Sequence, residues 1–99
     1  MALSVSVRSF TGEVISELLG PAVASLCNLA RKRDLPFLGS VDFYDDTVFN
    51  RLQVPRVLAE LESLRGIGGA EDDVAIGEIS AMIETVGAKP HRYLLFNGD

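Results

Sequence analysis

The sequence predicts a single small α+β domain over residues 1–99: a mixed or antiparallel sheet of three to four strands with about three helices packed on it. Three observations carry this. Leu3, Val5 and Val7 alternate with Ser4, Ser6 and Arg8, the period of two that sends successive side chains to opposite faces of a strand. Val57, Leu58, Leu61 and Leu64, then Ala75, Ile76, Ile79, Met82, Ile83 and Val86, recur at helical spacing. Tyr93-Leu-Leu-Phe96 is apolar at every position, which suits a central strand covered on both faces.

The elements follow in order. After the first strand, Phe10-Thr-Gly-Glu13 reads as a turn with Gly12 as its permissive residue, and Val14-Ile15 as a short returning strand. Gly20-Pro21 opens a helix, because proline at the first helical position loses no hydrogen bond. Arg31-Lys-Arg33 closes it, where cations complement the helix dipole, and Asp34-Leu-Pro36 ends the segment. Phe37-Leu-Gly-Ser-Val41 is short and bounded by punctuation, and is expected to be an inner strand. Thr47 to Asn50 fits either a short extended piece or one helical turn, with Val48 and Phe49 anchoring it to the core. Val54-Pro55 starts the clearest helix, whose Arg56–Glu60 and Glu62–Arg65 pairs belong on a solvated face. Gly66-Ile-Gly-Gly69 ends it, and Glu71-Asp-Asp73 provides the acidic first turn of the next helix, with Gly87 as its terminal glycine.

Composition excludes several function classes. The formal net charge of −5 repels nucleic acid and anionic membranes and favours a basic protein partner. The only dense basic run, Arg31 to Arg33, is accounted for by the helix end. No apolar run is long enough for a transmembrane span, and residues 1–7 lack the charged and continuous apolar regions of a signal peptide. A single cysteine, Cys27, allows no internal disulfide and sits among Val23, Leu26 and Leu29 as a small hydrophobe; this usage suits the cytoplasm. The one histidine, His91, has no nucleophile implied beside it and reads as a hydrogen-bonded structural imidazole. The glycine run lacks the Lys-Ser/Thr of a phosphate loop.

The densest set of ligand-bearing residues runs from Gly39 to Gln53. If it follows a strand, and Tyr93–Phe96 is a neighbouring one, Asp42, Asp45, Asp46 and Asp99 share one rim near Tyr44, Thr47 and Asn50. The acid spacing matches neither an EF-hand loop, which needs acids at alternate positions, nor the Asp-x-Asp-x-Thr of a haloacid-dehalogenase-type phosphotransferase, where Tyr44 takes the second aspartate's place. No catalytic residue and no cofactor is assigned. The first reading is a protein-binding epitope formed by Asp42, Tyr44, Asp45, Asp46, Thr47, Asn50 and Asp99, with aromatic anchors inside a negative rim. The alternative is a divalent-cation-dependent enzyme or regulator using Asp42, Asp45, Asp46 and Asp99, and a third is a homo-oligomeric scaffold. Asp and Asn side chains also serve turns by bonding their own backbone.

Asp42-Phe-Tyr-Asp-Asp-Thr-Val-Phe-Asn-Arg-Leu-Gln53, the helix with Leu58, Leu61 and Glu62, and the closing Tyr93-Leu-Leu-Phe-Asn-Gly-Asp99 resemble a group of small uncharacterised bacterial proteins. Those carry an Asp-x-Tyr-Gly/Asp-Asp-Thr-x-Phe-Asn segment and a terminal Phe-x-Gly-Asp strand, and the resemblance covers roughly the C-terminal two thirds of the chain. The group brings no established catalytic residues to transfer. An acidic, single-domain, cysteine-poor chain is also similar to toxin-neutralising immunity proteins, which implies a non-catalytic inhibitor of a basic partner.

Overall fold

The computed structural model describes residues 3–98. Its elements are β1 (Ser4–Ser9), β2 (Val14–Leu19), α1 (Pro21–Lys32), a 3-10 turn at Leu38–Ser40, β3 (Asp46–Phe49), α2 (Val54–Ser63), α3 (Ala70–Ala88) and β4 (Arg92–Asn97). The strands form one antiparallel sheet in the order β2-β1-β4-β3, giving an α+β domain.

Alternation sorts the sheet into two faces. Val5 lies opposite Phe96, Val7 opposite Leu94, and Phe49 opposite Leu94 on the other side, so these side chains share the face on which the helices pack. From the helices, Val23 and Leu26, Val57 and Leu61, and Ile76, Ile79 and Ile83 complete that core. β4 is central, as its composition implies, but helices cover only one of its faces. Leu95 points the other way, beside its register partners Ser6 and Val48, and stands outside the core cluster although it is only 5% exposed.

The hairpin between β1 and β2 closes where expected, with Gly12 at φ 91° and its N–H donating to the Ser9 carbonyl at 2.9 Å. β2 is longer than Val14-Ile15 and runs to Leu19, its register shifted by a bulge opposite Val7/Arg8. α3 extends through Gly87 to Ala88, so that glycine belongs to its last turn and does not terminate it.

Two further expectations are corrected. Phe37–Val41 is not an inner strand. The Phe37 and Leu38 N–H groups donate to the two carboxylate oxygens of Glu60 at 3.0 and 2.7 Å, so a side chain takes the donors a sheet would have used. Gly39 lies against α1, where an added Cβ would stand 3.4 Å from the Arg31 Cα, and Leu38 and Val41 are buried from a coil that packs on a helix. The fourth strand is β3, from the segment whose form was ambiguous. The second correction follows from the first: Glu60 does not face solvent opposite Arg56 but is only 8% exposed. The Glu62–Arg65 pair does form on the surface, at 3.0 Å, and the Arg65 hydrogen bonds hold the Glu62 carboxyl below its ordinary value.

Cys27 is fully buried, and burial pushes its thiol up to about 12, with Arg31 opposing weakly. The unfolded chain loses this proton near the ordinary value of 9.0 while the folded chain keeps it, so the unfolded state binds fewer protons in that window. Stability is therefore expected to fall as pH rises from about 9 toward about 12. Denaturant melts along this range should show a shallower decline in Cys27→Ala than in the parent; equal slopes would remove Cys27 as a cause.

Candidate functional site

The rim is built from the loop between the 3-10 turn and β3, together with the end of β4. Asp46 pairs with Asn97 in the ladder, and the Gly98 N–H donates to the Asp45 carbonyl at 3.1 Å. The loop wraps closely around Gly98: a Cβ there would sit 2.7 Å from the Asp42 oxygen and from both the nitrogen and the oxygen of Asp45. The aspartate segment and the C-terminal Asn-Gly are thus joined in space. Asp99 lies outside the described residues.

Two supports fix the loop from beneath. Arg31, at the end of α1, donates from Nη2 to the Val41 carbonyl at 2.7 Å and from Nε to the Gly39 carbonyl at 3.2 Å. Its guanidinium also lies 5.0 Å from the centre of the Phe43 ring. Farther along, the Phe49 ring packs against Phe37 at 5.8 Å and edge-on against Phe96 at 5.9 Å. Phe49 therefore anchors the segment as expected, whereas Val48, on the opposite face of the same strand, is 52% exposed and does not.

Most polar side chains of the segment are engaged by its own backbone. Asp42 Oδ1 accepts the Tyr44 N–H at 2.8 Å, Asp45 Oδ1 accepts the Asp46 N–H at 2.8 Å, and Thr47 Oγ1 accepts the Asp42 N–H at 3.0 Å. Asn50 Oδ1 accepts the N–H groups of Leu52 and Gln53, and Gln53 Oε1 in turn accepts the Asn50 N–H at 2.9 Å. These bonds set the turn that leads into α2. Among the described residues, no group of three His, Cys, Asp or Glu is placed to hold a metal ion.

What the segment leaves facing water is a mixed surface. Asp42, Asp45 and Asp46 are exposed, Tyr44 is 72% exposed and Leu52 86% exposed. Asp46 and Val48, two residues apart on β3, project from the sheet face turned away from the helices, and β3 is an edge strand bonded only to β4. Of the segment's aromatic side chains, Tyr44 alone is available as an anchor; Phe43 is half-buried under Arg31 and Phe49 is in the core. Val48 was expected in the core, and Leu52 was not singled out from the sequence at all. The available signal was that Leu52 lies outside the stripe Val57, Leu58, Leu61, Leu64 and so had no core position to fill.

Compared with protein-family models, curated proteins and solved structures, the chain matches none of them. Among the described residues no helix is long and apolar enough to cross a membrane.

Proposed function

We propose that this chain is a non-catalytic, cytoplasmic binding module whose acidic, aromatic-bearing rim docks on a basic protein surface, most concretely as a bacterial immunity-type inhibitor that masks such a surface. One observation supports this above the others. Tyr44, Val48 and Leu52 stay in water among exposed Asp42, Asp45 and Asp46, although the loop beneath them is firmly held. Exposed apolar groups held on a well-anchored segment can anchor an interface, with charged neighbours steering the encounter. Asp42, Thr47 and Asn50 act mainly by shaping the turn, while Tyr44, Val48 and Leu52 supply contact area and Asp45 and Asp46 supply field. The open edge of β3 adds main-chain groups that an extended partner segment can pair with.

The test is association with the product of a neighbouring reading frame encoding a basic toxin. Reversing both charges, Asp45→Lys with Asp46→Lys, is expected to weaken binding on the order of tenfold or more and to flatten its salt dependence, with the fold unchanged. Unchanged affinity and salt slope in that variant would eliminate the rim as the docking surface.

A further inference from the structure

A second concave surface lies at the opposite end of the sheet. β1 runs antiparallel to β4, so Ser4 meets Asn97 beside the aspartate loop while Ser9 meets Arg92 at the far end. There the β1–β2 turn and the segment joining α3 to β4 line an open cavity of about 690 Å³. This volume falls within the range of small-molecule sites.

Its lining combines apolar, aromatic and basic side chains. Phe10 is 81% exposed, and its ring meets the His91 imidazole edge-on at 6.2 Å. Ile15 contributes a second apolar wall, while Lys89, His91 and Arg92 present cationic and hydrogen-bonding groups against the single carboxylate of Glu13. In a chain of net charge −5 Lys89 and Arg92, set against Glu13 alone, give this cavity a local excess of positive charge that favours an anion.

One residue of the lining is also held in a costly geometry. His91 adopts φ 63°, a left-handed conformation that carries strain in a residue other than glycine. That conformation accompanies a bond from the Phe10 N–H to the His91 carbonyl at 2.7 Å, which adds one rung to the β1–β4 pairing beyond Ser9 and Arg92. Arg92 is fixed in turn by donating from Nη1 to the Thr85 carbonyl at 2.9 Å, leaving further guanidinium donors unassigned. Backbone strain beside an exposed aromatic ring, with two basic residues lining the same cavity, favours a ligand site there.

We infer that this cavity binds a small planar anion of about mononucleotide size, its ring lying against Phe10 and Ile15 and its phosphate or carboxylate taken by Lys89, His91 and Arg92. The site is separate from the aspartate rim and does not depend on what that rim binds.

Amide NMR titrations of the full chain with adenosine monophosphate, benzoate, adenosine and inorganic phosphate test the assignment. Both ring-bearing anions should shift the amides of residues 9–15 and 89–92, the nucleotide more strongly, and adenosine or phosphate alone should do so weakly. Lys89→Glu should lower nucleotide affinity about tenfold, the size of one charge-assisted hydrogen bond, and Phe10→Ala by a similar factor through lost stacking. Both side chains are exposed, so neither variant should lower the melting temperature. The Asp45→Lys, Asp46→Lys variant should bind the nucleotide as the parent does. Three results would overturn the proposal: no shifts in these two segments at millimolar probe, shifts from phosphate equal to those from the nucleotide, or affinity indifferent to both Lys89→Glu and Phe10→Ala.

Discussion

Glu60→Ala is expected to cost about 3 kcal/mol, a large share of the stability of a domain this size. The Glu60 carboxylate is the sole acceptor for two main-chain donors, the N–H groups of Phe37 and Leu38, and its removal leaves both facing a buried methyl. Each orphaned donor costs on the order of 1–3 kcal/mol, and loss of charge-assisted bonds adds to that. The 3-10 turn would detach from α2, taking Leu38 and Val41 from the core. In thermal melts the midpoint should drop by roughly 15 °C. Glu60→Gln should fall between, because one amide oxygen still accepts while the NH₂ confronts the other donor. A drop of only a few degrees in Glu60→Ala would mean that water or a shifted backbone satisfies these donors.

This residue also shows where sequence reasoning stops. The strands β1 and β4 and the helices were legible because burial there follows a fixed period along one element, so Val5, Val7, Ile76 and Ile79 announce their faces locally. Glu60 was placed on the solvated face for an equally local reason, its spacing from Arg56. Its actual partners lie 22 and 23 residues away, on a segment that itself read as a strand. Nothing in either stretch alone encodes that contact. Arg31 repeats the lesson: as a helix-ending cation it was accounted for, yet its bonds to Gly39 and Val41 are what seat the aspartate loop. His91 differs again. It was expected to be hydrogen-bonded and structural, but it is exposed, in a left-handed conformation, with its ring against Phe10.

The two ends of the sheet carry opposite surfaces for a topological reason. Antiparallel β4 brings Arg92 and Asn97 to opposite ends, and each end is completed by whatever loop the neighbouring strands contribute. At one end that is the acidic segment before β3; at the other it is the β1–β2 turn with Lys89 and His91. On the proposed function, the exposed Asp42, Asp45 and Asp46 would attract an approaching basic surface through their local field. The rim needs a rigid seat for this to translate into affinity, since ordering a loop on binding consumes free energy.

Gly98→Ala tests that seat directly. The added methyl would fall 2.7 Å from three main-chain atoms, the oxygen of Asp42 and the nitrogen and oxygen of Asp45, and main chain has no rotamer by which to yield. Either β4 frays at its end, breaking the bond from the Gly98 N–H to the Asp45 carbonyl, or the loop lifts off the sheet. Overpacking of this kind costs about 1–3 kcal/mol, and here it acts at the edge of the fold, away from the core residues Leu94 and Phe96. The protein should therefore stay folded while amide shifts concentrate in residues 41–49 and 95–98. Partner binding through the rim should weaken at least about tenfold, because Tyr44, Asp45 and Asp46 would no longer be held in place. Nucleotide binding at the far cavity should be untouched. A variant that melts like the parent and binds the partner equally well would show that the contact between the loop and Gly98 does not position the rim.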